Sequence, residues 1–172
     1  LLKKFNLDGY IVPKNNIFFG EYVSEPEDNL KYISNFTGSA GFAIILRDKN
    51  FMFVDGRYTT QASIQSGKNY KIFTIPKKYP FNIFKNKSLN LGFDPKLHTD
   101  NSLKNIFKNT SIKLKPINKN LIDLIWRRKK DLNVKPFYLI KDLDAGERFE
   151  NKLSKLIKLI KLSKVDYLFT TA

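Results

Sequence analysis

The chain has 172 residues, of which 42% are apolar and 14% aromatic, so it can bury a sizeable core and wholesale disorder is not expected. No apolar run reaches the length of about 18 residues that a membrane-spanning helix needs, and no basic segment followed by an apolar one opens the chain. Neither a membrane span nor a signal peptide is therefore expected. Cysteine is absent, which excludes disulfides, thiolate zinc sites and a cysteine nucleophile, and fits a reducing compartment.

The formal net charge is +15, from 31 Lys and Arg residues against 16 Asp and Glu residues. Such an excess suits nucleic-acid binding, because Lys and Arg displace counterions from phosphates. However, Lys, Asn and Ile are abundant whereas Arg and Ala are scarce, which is the composition that A/T-rich codons produce. The basic residues are also scattered along the chain, apart from RRKK at 127–130. The charge is therefore attributed to codon use, and nucleic-acid binding is the less favoured interpretation.

Short apolar runs alternate with amphipathic stretches in the first two thirds of the chain. The runs FAIILR and FMFVD, which are separated only by DKN, predict a β-hairpin. The polar segment 14–29 is predicted to be a loop, long enough to be functional. Strands between helices are typical of an α/β layer fold. The predicted strands are 9–13, 42–47, 51–55, 70–76, 89–95 and 112–117, and the predicted helices are 56–66, 99–109 and 118–127.

The last third of the chain starts with a charged segment and then repeats the plan of its beginning. Residues 127–146 contain Pro136 and are predicted to form a linker. An amphipathic helix over 147–164 and a strand, DYLFTTA, follow. The start of the chain, LLKKFNLDGYIVP, has the same order of basic apolar helix, Asp and strand. We therefore predict a domain over 1–126, a linker, and the start of a second, related α/β domain over 147–172, with a chance likeness as the alternative.

The stretch FTGSAG, residues 36–41, has the composition of a functional turn. It departs from the nucleophile-elbow pattern, because Thr37 stands in place of the first glycine and Ser39 precedes a strand rather than a helix. The only histidine, His98, is expected at the surface near a helix start, so a Ser39–His98 pair is disfavoured. A phosphate-binding loop is excluded by the absent Lys-Ser/Thr ending. We predict that Gly38 and Gly41 permit a sharp turn with positive φ.

The stretch VDGRYTTQA, residues 54–62, places charges where a strand ends and a helix starts. Asp55 is predicted to cap the helix, and Gly56 to allow the tight turn into it. Arg57 in the first turn opposes the helix dipole, so it needs either a salt bridge within the fold or a role at a substrate or subunit boundary. No metal-binding motif is found in the sequence. The acidic stretch SEPED, residues 24–28, is expected to be solvated.

Four stretches together resemble the N-terminal part of Xaa-Pro aminopeptidases, in the creatinase and prolidase superfamily. In that family a Phe-x-Gly-Ser-Ala-Gly turn leads a strand, and an Asp-Gly-Arg-Tyr motif follows the next strand. Both are intact here, and the likeness covers nearly the whole chain. One departure is that Trp126 is followed by Arg-Arg-Lys-Lys instead of Thr-Asp-Arg-Pro. The matching stretches are YISNFTGSAGFAIILRDKNFMFVDGRYTTQA (32–62), LGFDP (91–95), NLIDLIW (120–126) and AGERFENKLSKL (145–156). The last of these resembles the helix that opens the middle domain of the three-domain, cytosolic-type enzymes.

The resemblance implies a mixed six-stranded sheet flanked by helices, similar to ribonuclease H. It also implies a parent enzyme that removes the N-terminal residue preceding proline. Its catalytic domain would follow this chain, with two Asp, one His and two Glu holding two divalent metals, manganese by expectation. No catalytic residue or metal ligand is therefore assigned here, and this chain alone is expected to be inactive. The parent is expected to be a cytoplasmic homodimer that acts on peptides with proline in second position.

The same resemblance implies that the N-terminal domain walls the active-site entrance and supports dimerisation. Arg57 and Phe36 are the candidate substrate contacts. The alternative is a non-catalytic peptide- or protein-binding module, because the same fold recurs in the large subunit of the FACT histone chaperone. The +15 charge argues against a basic histone partner. The remaining motif residues are predicted to be structural, namely Gly38, Ser39, Gly41, Asp55, Gly56 and Tyr58.

Overall fold

The computed structural model describes residues 1–20, 22–128, 136 and 138–170. The chain divides into two compact units, residues 1–130 and residues 131–172, which are described separately. The division falls inside the predicted linker over 127–146. That the second unit begins a related α/β domain stays a prediction.

The first unit is built on a six-stranded mixed sheet, as expected. The strand order is β4-β3-β2-β1-β5-β6. The predicted hairpin is confirmed, because β2 and β3 pair antiparallel with Gly41 opposite Val54 and Ile45 opposite Asn50. Each strand lies within two residues of its predicted range. The strands are β1 Gly9–Pro13, β2 Gly41–Leu46, β3 Asn50–Asp55, β4 Lys71–Ile75, β5 Asn90–Phe93 and β6 Lys113–Pro116.

The sheet has a single antiparallel strand, β2, which runs against both β1 and β3. The pairs β3–β4, β1–β5 and β5–β6 are parallel. Five strands therefore end at the same edge of the sheet, where β2 begins. We call this edge the C-terminal edge. In open α/β sheets this is the edge at which ligands bind.

Short helices connect the strands of the first unit. The α-helices are α1 Asn29–Ser34, α2 Thr59–Ser66, α3 Pro80–Ile83 and α4 Asp100–Ile106, and the 3₁₀ turns are Glu25–Glu27, Gly56–Tyr58, Pro95–Leu97 and Ile122–Leu124. The helix predicted over 56–66 thus starts as a 3₁₀ turn. The N-cap of α4 is Thr99, since its Oγ1 accepts a hydrogen bond from the Ser102 amide at 3.2 Å.

Two helix predictions need correction. Helix α1 lies at the end of the predicted loop 14–29 and beyond it, and it is capped by the Asp28 side chain, which accepts from the Lys31 amide at 3.0 Å. Conversely, the helix predicted over 118–127 shrinks to one 3₁₀ turn. The reason is local, because Asn120 Oδ1 accepts from the Ile122 amide at 2.9 Å, and such side-chain bonds compete with helix formation.

The core covers both faces of the sheet, following the alternation of side chains along each strand. Phe42 and Ile44 point to one face, where the buried cluster includes Leu103 of α4. Ala43 lies on the other face, in a cluster with Leu30 of α1 and with Ala62 of α2. A third cluster surrounds Tyr10 and Val12 of β1, and is closed by residues 117–122. Helices thus flank both faces of the sheet.

The second unit contains the short helix α5, Asp142–Ala145, and the longer helix α6, Phe149–Leu162. Helix α6 agrees with the predicted amphipathic helix. The strand predicted over 166–172 is wrong for residues 166–170, which form no strand, because the described part of this unit offers no strand to pair with. Residues 171–172 and most of the linker lie outside the described residues. No helix in the described part of the chain is long and apolar enough to cross a membrane.

Candidate functional site

The two sequence motifs meet at the C-terminal edge. FTGSAG leads into β2 and Asp-Gly-Arg-Tyr leaves β3, and these two strand ends are paired through Gly41 and Val54. The hydroxyl groups of Ser39 and Tyr58 are hydrogen-bonded at 2.8 Å. Ser39 is thus tied to the neighbouring motif.

The FTGSAG turn is also tied to helix α2. The Thr37 amide donates to Gln65 Oε1 at 3.0 Å. In return, Thr37 Oγ1 accepts from Gln61 Nε2 at 2.8 Å and from Gln65 Nε2 at 2.9 Å. These three hydrogen bonds hold the turn against α2. They agree with the interpretation of FTGSAG as a structural turn, which was favoured over a nucleophile or a phosphate-binding loop.

Phe36, one of the two candidate substrate contacts, lies in the core. Its side chain is fully buried, and its ring packs edge-on against Tyr58 with 5.9 Å between centroids. A ring with no exposed surface offers no contact to a peptide. The burial therefore does not fit the prediction that Phe36 contacts substrate. Phe36 instead packs against the Tyr58 ring.

The prediction of positive φ for the glycines of the turn is confirmed for Gly41 and wrong for Gly38. Gly41 has a φ of 159°, and Gly38, which does not have positive φ, is instead needed for space. A Cβ on Gly41 would lie 2.9 Å from the carbonyl oxygen of Phe53. Only a residue without a side chain fits this close to the neighbouring strand. A Cβ on Gly56, in contrast, would make only an ordinary van der Waals contact, so the predicted tight turn into the helix does not require glycine.

Gly38→Ala is expected to lower the free energy of unfolding by about 1–3 kcal/mol. The added Cβ would lie 2.3 Å from Cζ of Phe36 and 2.9 Å from Cδ1 of Tyr58, so packed rings would have to move. Gly56→Ala is the matched control, because its Cβ meets only Thr74 Cγ2, at 3.6 Å. Its stability should be unchanged or raised by up to about 1 kcal/mol. Equal losses for both variants in urea unfolding would contradict this account.

Arg57 forms the salt bridge that the sequence suggested. Asp55 Oδ1 accepts from both the backbone N and the Nε of Arg57, each at 2.9 Å. These bonds hold the pKa of Asp55 below its usual range and raise that of Arg57. The guanidinium carbon also lies 5.4 Å from the centre of the Tyr58 ring. The Arg57 side chain is nonetheless 73% exposed, so it is oriented by its neighbours and still accessible.

Ser39 and His98 do not form a catalytic pair. The Ser39 hydroxyl is bonded to Tyr58, whereas the His98 ring packs edge-on against Phe93, with 5.8 Å between centroids. His98 was expected at the surface but is partly buried, and its Nε2 is buried without a hydrogen-bond partner. Burial lowers the pKa of His98 to about 4. It precedes α4, as the sequence indicated.

A buried ion pair lies beside the FTGSAG turn and was not predicted. Lys14, directly after β1, pairs with Asp28, and their side chains are only 9% and 6% exposed. Asp28 belongs to the SEPED stretch, so the expectation of a solvated stretch is wrong for this residue. The pair borders a cleft of about 230 Å³ that Thr37 and Ser39 also line. The only sequence signal was an acidic residue just before an apolar helical pattern.

A second polar cleft, of about 440 Å³, opens where β1, β5 and β6 end. Asp94 and Asn120, which follow β5 and β6, are both 7% exposed at this cleft. Both belong to stretches that carry the family resemblance. We call this space the polar cleft. It is lined by Asn15, Asn16, Ile17, Glu27, Asn29, Asp94, Lys96, Leu97, Asn118, Lys119, Asn120, Asp123 and Arg128.

Arg128 of the RRKK stretch closes one side of the polar cleft. Its guanidinium donates to Asn29 Oδ1 at 2.7 Å and to Asp123 Oδ1 at 3.0 Å. It also lies 4.4 Å from the centre of the Trp126 ring, which stacks on Tyr32. Arg128, which is part of the stretch that departs from the family pattern, therefore links the end of the first unit to α1.

The described residues contain no group of three or more His, Asp or Glu side chains placed to hold a metal ion. Gly41, Asp55, Arg57 and Tyr58 are brought together at the C-terminal edge with Ser39. The sequence did not indicate the Lys14–Asp28 pair or the polar cleft. Contacts between residues distant in the chain create both, so spacing alone did not show them.

The mixed sheet, with the glycine turn and the Asp-Gly-Arg-Tyr motif at one edge, defines the class of creatinase-like N-terminal domains. The family described as Creatinase/Prolidase N-terminal domain matches residues 1–124. The chain belongs to this family.

Curated relatives are named Xaa-Pro aminopeptidases. The chain is 31% identical over 166 residues to a probable Xaa-Pro aminopeptidase P of Coprinopsis cinerea. This alignment covers 91% of the present chain and 27% of the relative. It is 30% identical over 167 residues to Xaa-Pro aminopeptidase 2 of Mus musculus, covering 89% of this chain and 24% of the relative. The chain thus spans about a quarter of the length of the curated relatives it matches.

Solved structures support the fold. An X-prolyl aminopeptidase of Caenorhabditis elegans, described as a cytosolic enzyme with a di-nuclear active site, matches 92% of this chain and 27% of its own with a TM-score of 0.72 at 24% identity. The N-terminal domain of the cytoplasmic peptidase PepQ of Mycobacterium tuberculosis matches 73% of this chain with a TM-score of 0.54 at 17% identity. At these identities the likeness shows the fold alone.

Proposed function

We propose that this chain is the non-catalytic N-terminal part of a metalloaminopeptidase that removes the N-terminal residue preceding proline. The carrying observation is the family match over residues 1–124, together with relatives named Xaa-Pro aminopeptidases that are about four times as long. Catalysis would belong to the part of the longer protein that this chain does not cover. The chain alone would bind no catalytic metal and would not cleave peptides.

The domain's contribution would be to wall the active-site entrance and to support a homodimer. This part of the proposal is supported by the surroundings of Arg57. Its side chain is exposed at the C-terminal edge and is held there by Asp55 and Tyr58. A guanidinium fixed in this way is suited to pair with a carboxylate of a peptide or of a neighbouring subunit. Restricting the entrance would admit a free N-terminus and exclude long internal chain segments.

The metals and the location of the parent protein belong to the same proposal. The X-prolyl aminopeptidase of Caenorhabditis elegans is cytosolic and has a di-nuclear active site, and we extend both properties to the parent of this chain, with manganese as the metal. A chain without cysteine suits that reducing compartment. Peptides with proline in second position would be the substrates.

Arg57→Ala in the longer protein tests whether Arg57, at the C-terminal edge, contacts the substrate or a neighbouring subunit. We expect either kcat/KM for an Xaa-Pro peptide to fall by about tenfold or the dimer mass in solution to be lost. Lys49→Ala is the control, because Lys49 is exposed in the β2–β3 turn at the opposite edge. Unchanged kcat/KM and unchanged mass would refute the role of Arg57. A longer protein that folds but cleaves no Xaa-Pro peptide would favour the binding-module alternative.

A further inference from the structure

The polar cleft contains a buried carboxylate without a cation partner. Asp94 is 7% exposed, and one of its oxygens, Oδ1, accepts from the Lys96 amide at 2.9 Å. In the described part of the chain no lysine or arginine pairs with it, whereas the other buried aspartate, Asp28, is paired with Lys14. Buried charges in proteins are nearly always paired. The contrast indicates that the Asp94 carboxylate is open to a positively charged partner that the described residues do not supply.

Two buried asparagines, Asn29 and Asn120, line the same cleft as Asp94 and have unused amide groups. The Oδ1 of Asn120 accepts from Ile122 and Tyr10, and the Oδ1 of Asn29 accepts from Arg128, but neither Nδ2 has a partner within the described residues. Both residues are buried, at 7% and 5% exposure. Their free N–H groups are donors that a ligand oxygen could accept from.

The rim of the polar cleft carries the opposite charge. Lys96 and Lys119 are exposed there, and neither forms a salt bridge among the described residues. The floor therefore offers an anionic acceptor and amide donors, and the rim offers two free ammonium groups. Ile17 and Leu97 add apolar surface to the lining. A ligand with an ammonium at one end and a carboxylate at the other complements this arrangement.

We propose that the polar cleft binds a small zwitterion, a free amino acid, with its ammonium on Asp94 and its carboxylate toward Lys96 and Lys119. The position supports this, since the cleft lies outside the carboxyl ends of three parallel strands, where open α/β sheets bind ligands. A divalent cation is disfavoured, because the described residues hold no group of three potential acidic or histidine ligands. The assignment does not depend on peptidase activity.

Calorimetric titration of the 172-residue chain with three probes tests the proposal. L-leucine has both charges, N-acetyl-leucine lacks the ammonium, and leucinamide lacks the carboxylate. We expect saturable binding of leucine with a Kd of about 0.1–10 mM, weaker binding of leucinamide, and no binding of N-acetyl-leucine. Absence of saturable leucine binding, equal binding of N-acetyl-leucine, or binding of Ca²⁺ or Mg²⁺ that displaces leucine would overturn the proposal.

Variants separate the two ends of the ligand. Asp94→Asn keeps an acceptor for the Lys96 amide but removes the charge, so leucine and leucinamide should each bind at least tenfold more weakly. The double change Lys96→Gln and Lys119→Gln alters exposed residues only, and it should weaken leucine but not leucinamide. Asp48→Asn, in the β2–β3 turn at the other edge, is the control and should change neither. Unaltered leucine affinity in the Asp94 variant, or in the double-lysine variant should Asp94→Asn not fold, would overturn the assignment.

Discussion

Lys14→Met is expected to lower the free energy of unfolding by about 3–5 kcal/mol. The change removes the cation while Asp28 keeps its carboxylate in a position where its side chain is 6% exposed. Methionine replaces the aliphatic stem, so most of the loss comes from the uncompensated charge rather than from a cavity. Urea unfolding followed by far-ultraviolet circular dichroism measures the effect.

Lys31→Met is the matched control for Lys14→Met. Lys31 also pairs with a carboxylate, that of Glu25, at 2.6 Å, but the two side chains are 40% and 80% exposed. Exposed ion pairs contribute little, because water screens both charges before and after unfolding. The Lys31 variant should therefore stay close to the parent chain. Similar losses for the two variants would show that the Lys14–Asp28 pair is not buried as described.

Acidification from pH 7 to pH 4 should destabilise the chain through His98, by about 3 kcal/mol in total. Its pKa is lowered to about 4 in the folded state, because burial disfavours the charged ring, while the unfolded chain takes up the proton near the ordinary value of about 6.5. The unfolded state therefore binds more protons throughout this window. Stability is full above pH 6.5 and declines as the pH falls towards 4.

The window from pH 7 to about pH 4.5 isolates this effect, since His98 is the only histidine and most carboxylates titrate lower. His98→Leu removes the titrating group together with its buried, unpartnered Nε2. Urea midpoints measured across the window should become independent of pH in this variant, with stability at pH 7 retained or raised. A variant that keeps the pH slope of the parent chain would contradict the role of His98.

Most strands could be predicted from the sequence because they are short apolar runs ended by a turn residue, whereas β6 was recognised from the alternation of apolar and basic residues in IKLKPI. Helix α1 was missed because six residues are too few for a clear helical period, and its cap, Asp28, is followed by only a short apolar pattern. The prediction of a strand over 166–172 was wrong for residues 166–170, because a strand forms only where another strand pairs with it, whatever its own composition.

The site was harder to predict for a physical reason. Gly38 and Gly56 are the same residue in two neighbouring motifs, yet only Gly38 has rings where a Cβ would lie. Phe36 belongs to a motif at the C-terminal edge but points into the core. Asp94 and Asn120 come together only through the parallel pairing of β5 and β6. Sequence indicated which residues matter, and the packing of distant segments decided what they do.

The measurement that tests the central claim most directly is the hydrolysis of an Xaa-Pro peptide with manganese, by residues 1–172 and by the longer gene product side by side. We predict that the longer protein releases the first residue, while the 172-residue chain, folded under the same conditions, releases none. Release by the 172-residue chain alone would contradict the non-catalytic role. Failure of the folded longer protein to release the first residue would contradict the assignment to a proline-specific aminopeptidase.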